Sequence, residues 1–278
     1  MSGLLARDRP LLVPTRPGRA AAAAELLFQP RYSLLDRTLK ALEATSARLR
    51  PRLHHGLPGR DTRDIGRDSA MLRDACRLAS GWRGTTLPVL SLRVTEAQAA
   101  SGLLARVIAE VLCDSGLAPE RMELEFSENS LKADECDLLY LLAALRDLGV
   151  GLVLGGFGSG VSSLTLLRRR SVAGLLSGVK LDQLLVHEPA EDHDGFLHGL
   201  AESAHALGLL VIAEGIESET QCQRLSQAGC DQGLGAWLGD AGSAMDYAEA
   251  ALSAVQRPAA AATPDVQERL RKADDQGR

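Results

Sequence analysis

At six places along this sequence a charged side chain, or a pair of glycines, closes a short apolar run: Glu43, Arg93, Glu125, Gly155-Gly156, Lys180 and Glu214. Three carboxylates, a guanidinium and an ammonium are the material of ion-pair networks and proton transfer. Any one of them alone reads more readily as a solvated strand end. No rival chemistry competes with the set. His54-His55 and the group His187, His193 and His198 fall on expected loops or helix faces without matching acidic residues, so they read as solvated imidazoles. The GGFGSG run at 155–160 lacks the lysine of a phosphate-cradling loop and does not match GxGxxG. Ser162 and Ser163 read as caps or packing residues of the following helix. Five scattered cysteines, Cys76, Cys113, Cys136, Cys222 and Cys230, contain no CxxC pair and read as reduced thiols. No nucleophile–base pair is visible.

The elements that must bring these residues together are legible as a pattern. Leu-rich or β-branched runs begin at Leu87, Arg121, Gly149, Ser177, Leu209 and Gly233, with two further strands expected at 26–33 and 38–44. Between them, 97–113, 136–148, 196–207 and 220–228 carry apolar residues at helical spacing. Gly149, Gly208 and Gly229 fit helix C-termini feeding the next strand. Alternating strands and helices imply a parallel sheet, and eight strands match a closed (β/α)8 barrel, with an open doubly wound sheet as the rival. In a barrel the C-terminal strand ends share one mouth, where the charged residues would meet.

Composition narrows the partners. The chain has 278 residues, 45% apolar, enough for a sizeable core. Its 31 basic and 36 acidic residues are interspersed and give a net charge of -5, which argues against general attraction to nucleic acid or anionic lipid. Aromatic content of 3% is too low for base-stacking platforms. The Arg- and Pro-broken start has no continuous apolar segment of signal-peptide or membrane-span type, so a cytoplasmic protein is expected. Residues 1–24 and 257–278 read as a flexible lead-in and a flexible or helical tail around one domain at 25–256.

Six segments in order carry a more specific signal: Phe28-Gln29-Pro30, Glu43-Ala44-Thr45, LEFSEN at 124–129, GGFGSGVSSL at 155–164, VKLD at 179–182 and IAEGIES at 212–218. They resemble the YQP, EAL, LEITES, DDFGTGYSSL, LKID and VAEGVET segments of the EAL domain of cyclic di-GMP phosphodiesterases. The resemblance runs over about residues 25–252 and implies a TIM-type (β/α)8 barrel of the EAL family.

The family's chemistry needs two divalent cations held by several oxygen ligands. By resemblance Glu43, Glu125 and Glu214 occupy ligand positions and Lys180 that of the water-orienting lysine. The ligand asparagine is Arg93 here, the two aspartates are Gly155 and Gly156, and the glutamine of the late QG element is Leu234. Glycine offers no carboxylate, and a guanidinium adds a permanent cation. Two unit charges about 4 Å apart at an effective dielectric near 20 interact by roughly 4 kcal/mol, and a dication doubles that repulsion. Loss of Mg²⁺ or Mn²⁺ is therefore expected, with no cofactor, and with ion pairs from Arg93 to Glu43 or Glu125. The phosphate-gripping arginine position is Ala47, so Arg48 and Arg93 are the candidate substitute phosphate contacts.

The resemblance thus implies a catalytically inactive EAL regulator in cyclic di-GMP signalling that acts through a partner protein. The alternative is a non-hydrolysing cyclic di-GMP receptor, and an active phosphodiesterase ranks third. The family's dimerisation surface corresponds to residues 159–170, which admits a homodimer; the arginine run at 168–170 departs from the expected pattern.

Overall fold

A computed structural model of the chain describes residues 26–46, 62–82, 87–128, 135–158, 170–187 and 190–243, with the single positions 130, 167 and 247. The apolar runs form eight strands: β1 (Leu26–Ser33), β2 (Leu39–Ser46), β3 (Val89–Val94), β4 (Met122–Ser127), β5 (Gly151–Phe157), β6 (Gly178–Leu181), β7 (Leu210–Glu214) and β8 (Gln232–Leu234). They close a barrel in sequence order. Its connections carry α1 (Thr62–Ser80), α2 (Glu96–Ala100), α3 (Leu104–Ser115), α4 (Glu135–Asp147), α5 (Arg170–Ala173), α6 (Gln183–His187), α7 (Ala190–His205) and α8 (Glu219–Gln227).

The sheet departs from the uniformly parallel expectation in one strand. β1 runs antiparallel to both β2 and β8, while the other neighbours pair in parallel. The reason is chain length. Only residues 34–38 join β1 to β2, whereas a parallel crossover takes a dozen or more residues. The turn uses Arg37 at φ 60° and is tied by Asp36, whose carboxylate accepts from the Thr38 amide and hydroxyl. β8 is also shorter than the run from Gly233 suggested. After Leu234 the chain turns at Gly235, where a Cβ would meet the Ile216 backbone nitrogen at 2.2 Å.

The helical expectation at 97–113 resolves into two pieces. Thr95 and Gln98 form a reciprocal capping box for α2, and Gly102 at φ 66° breaks the chain before α3. α1 was not anticipated from the sequence pattern.

Strand alternation divides the buried side chains into two populations. On β4, Met122, Leu124 and Phe126 face outward into one large core with Cys76, Ile108 and Leu142 from the helices. Glu123 and Glu125, at the alternate positions, face the barrel interior. Val153, Ile212 and Leu234 form a separate small apolar cluster. The interior thus interleaves apolar and charged side chains, Val153 pairing with Glu125, Ile212 with Lys180 and Leu234 with Glu214, and the charged ones lead to the site. Cys76, Cys222 and Cys230 are buried free thiols and Cys113 an exposed one; burial pushes Cys76 and Cys230 up to about 12, which keeps them protonated.

Candidate functional site

Parallel register sets the site. Arg93 on β3 pairs with Glu125 on β4, Glu43 on β2 pairs with Ser91, and Lys180 on β6 pairs with Ile212, two residues before Glu214. Because side chains repeat every two residues on a strand face, all five charged groups point to the same end of the barrel interior. Lys180 Nζ lies 2.5 Å from Glu125 Oε2, 2.6 Å from Glu43 Oε2 and 3.6 Å from Glu214 Oε2. Arg93 Nη2 lies 3.1 Å from Glu125 Oε1, 3.6 Å from Glu214 Oε2 and 3.8 Å from Glu43 Oε1. Each carboxylate therefore meets both cations. The pairs expected between Arg93 and Glu43 or Glu125 are both present, and Glu214 joins them.

The two cations differ in setting. Lys180 is 1% exposed and sits beneath the carboxylates, whereas the Arg93 side chain is 49% exposed and lies at the mouth. Burial by itself favours a neutral amine at Lys180, but Glu125, Glu43 and Glu214 outweigh it and raise the lysine above its usual range. Glu125 itself is pushed up by burial, with repulsion from Glu43 and Glu214 added, against the pull of Lys180 and Arg93. Glu43 is largely screened from solvent, which works to raise it, yet Lys180 and then Arg93 hold it below the usual carboxylate range. Three carboxylates against two cations leave the cluster one negative charge in excess.

The sequence profile of the EAL domain family matches residues 19–241. The chain belongs to the EAL domain family. Among curated proteins this EAL domain is 26% identical over 220 residues to the oxygen sensor protein DosP of Escherichia coli. It is 32% identical over 226 residues to the cyclic di-GMP phosphodiesterase NbdA of Pseudomonas aeruginosa. Each alignment takes in 74% of this chain and 27% of the relative. The chain spans about a quarter of the length of these curated relatives. The solved EAL domain of Mycobacterium smegmatis DcpA superposes with a TM-score of 0.70 at 24% identity, over 85% of this chain and 99% of that one. The PaMucR phosphodiesterase in its c-di-GMP complex gives 0.69 at 24% identity, over 80% and 93%. At that identity the likeness is one of fold.

The other positions singled out in the sequence fall as follows in this EAL domain. Gly155 and Gly156 form a bulge: Leu154 pairs with Val179 and Phe157 with Leu181, so the two glycines oppose Lys180 alone. Gly156 has φ 74°. Leu234 is buried in the interior apolar cluster, and its carbonyl accepts from the Gly215 and Ile216 amides. Arg48 lies outside the described residues, as do His54, His55 and, apart from Leu167 and Arg170, the 159–170 segment. His187 on α6 has Nδ1 3.9 Å from Glu217, and His198 on α7 has Nδ1 3.4 Å from the Ala228 carbonyl oxygen. Among the described residues no helix is long and apolar enough to cross a membrane.

A second buried ion pair was missed in the sequence. Arg31 on β1 donates two hydrogen bonds, of 2.8 and 2.9 Å, to the Glu123 carboxylate, and Ser91 Oγ donates a third at 2.8 Å. Arg31 is 3% exposed. The signal was available: Glu123 stands two residues before Glu125, and Ser91 two before Arg93, so both share the inward face. An arginine within the apolar β1 run then supplies the countercharge. This pair is neutral in sum, and it underlies the five-membered cluster along the same barrel wall.

Proposed function

We propose that this EAL domain is catalytically inactive and serves cyclic di-GMP-related bacterial signalling in the cytoplasm as a regulator that acts by contacting a partner protein. The observation that carries this reading is that Arg93 and Lys180 already engage all three glutamates. The donor set does not fit a pair of dications. The bulge opposite Lys180 offers glycines in place of carboxylates, and a side chain at 155 would find its Cβ 2.5 Å from Glu125 Oε1. A divalent ion entering among the glutamates would have to displace a guanidinium held at 3.1 Å. Mg²⁺ and Mn²⁺ are accordingly outside the proposed role.

The test is incubation of the purified chain with cyclic di-GMP and Mn²⁺. No linear pGpG is expected; turnover by clean protein, abolished by chelation, would sink the proposal.

A second reading, a receptor that binds cyclic di-GMP without cleaving it, draws on the half-exposed Arg93 guanidinium at the mouth, a donor suited to phosphate. Solved relatives of the same fold are described as complexes with the nucleotide. Calorimetry with cyclic di-GMP in the absence of metal separates the two. Saturable heat that disappears in Arg93→Met supports the receptor, and its absence favours action through protein contact alone.

A further inference from the structure

We infer that Gly155 is a positioning residue for Glu125: the space left by its missing side chain is the seat of the Glu125 carboxylate. A Cβ built at 155 would lie 2.5 Å from Glu125 Oε1, 3.2 Å from Cδ and 3.3 Å from Cγ. Real side chains do not approach so closely, so one of the two groups must yield. Gly155 does not share the positive φ of Gly156, so backbone conformation is not what calls for glycine at 155. Space is.

A glutamate tip is ordinarily cheap to move, but this one is clamped. Its Oε2 accepts from Lys180 at 2.5 Å and its Oε1 from Arg93 at 3.1 Å, with the side chain 5% exposed. Swinging the carboxylate away from residue 155 lengthens both contacts and leaves a buried lysine short of a partner. The glycine and the two cations therefore act as one unit. Arginine at 93 needs Glu125 where it stands, and Glu125 stands there because residue 155 has no side chain. This goes beyond the functional proposal, because it holds whether or not the domain binds nucleotide.

The test is a set of variants in the full chain, read by melting temperature and by NMR of the Arg93 side chain. Gly155→Ala is expected to melt about 5 °C lower than the parent, the size of a local overpacking penalty in a domain of this length. In a Glu125→Gln background, which keeps the side-chain shape but offers one acceptor in place of two, a drop smaller than the parent's is expected. In a Glu125→Ala background it should shrink to about 1 °C, since nothing remains to collide with. Should Glu125→Ala fail to fold, Glu125→Asp replaces it, with at least half of the drop relieved by the shorter acid. Gly155→Ala alone should also speed solvent exchange of the Arg93 guanidinium protons, a readout that a packing defect elsewhere would leave unmoved. An unchanged melting temperature in Gly155→Ala overturns the inference. So does a full drop that persists in the Glu125→Ala or Glu125→Asp background, or an Arg93 signal indifferent to the substitution. Phosphodiesterase turnover, which bears on the functional proposal, is not a readout of these variants.

Discussion

Arg93 and Lys180 hold opposite oxygens of one carboxylate: Glu125 Oε1 lies 3.1 Å from the guanidinium and Oε2 lies 2.5 Å from the ammonium. Glu43 is divided between them in the same way, its Oε1 toward Arg93 and its Oε2 toward Lys180. The arrangement has one buried cation and one at the mouth, so the two should not be equivalent in stability.

Lys180→Met leaves Glu43 and Glu125 facing each other in the barrel interior with their buried partner gone. Breaking a buried pair from one side costs about 3–5 kcal/mol, and a loss in that range is expected in urea unfolding. Arg93→Met removes a half-exposed partner whose place water can take, and about 1 kcal/mol is expected. Equal losses from the two variants would contradict the division of roles between them.

Arg31→Met should behave like Lys180→Met, because Glu123 would be left buried with Ser91 as its remaining donor. A loss of about 3 kcal/mol is expected. Arg31→Met combined with Glu123→Leu should recover most of it, since an apolar pair of similar volume carries no desolvation penalty. A double variant no more stable than the single one would place the importance of Arg31 outside this pair.

The pH dependence follows from four shifted groups, two lowered and two raised. Glu43 and Glu123 are held below the usual range against the effect of burial, Glu43 chiefly by Lys180 and Glu123 by Arg31. Their contribution is complete above the unfolded value of about 4.3 and is lost as pH falls through their folded values. Glu125 is raised, so its protonation favours folding at low pH and partly offsets that loss; its own contribution fades as pH rises through its folded value. Lys180 is raised, so its contribution is complete below about 10.4 and is lost as pH climbs past its folded value. Urea midpoints should therefore fall below about pH 4 and again above about pH 10.4. Glu123→Gln should flatten the acid limb; an unaltered limb would remove Glu123 from the account.

The barrel was legible because its strands are short apolar runs separated by helical periodicity; of the charged residues expected to end them only Glu214 is a last residue, while Glu43, Arg93, Glu125 and Lys180 lie one to three residues before the end. The reversed direction of β1 was not read, although the five residues between Ser33 and Leu39 already forbid a crossover. The Arg31–Glu123 pair lies away from the strand ends, and an inward charge one layer deeper shows only when the period of two is followed back along each strand. The fit between Gly155 and Glu125 lies beyond sequence reading altogether. A glycine that replaces an aspartate looks like a lost ligand, and only coordinates reveal a neighbour occupying the space.

That occupancy makes the order of reversal matter. Introducing at 155 the aspartate that the resemblance implies, while Arg93 is present, forces a carboxylate against Glu125, which the arginine holds in place. Gly155→Asp alone should therefore be strongly destabilising, by about 3 kcal/mol from overpacking and like-charge contact together. With Arg93→Asn made first, Glu125 loses one of its clamps and can retreat, so the steric part of the cost falls; Gly155→Ala, which adds no charge, isolates it and should cost about 1 kcal/mol less in that background than in the parent. Position 156 imposes a separate condition. Its φ of 74° disfavours an L side chain by about 1–2 kcal/mol, although aspartate and asparagine tolerate that region better than branched residues do. Gly156→Asn should thus be milder than Gly156→Val. The decisive measurement is the coupling energy between positions 93 and 155 in a double-mutant cycle: a value near zero would mean that the arginine and the glycine are independent substitutions, and a value of about 1 kcal/mol or more that they were accommodated together.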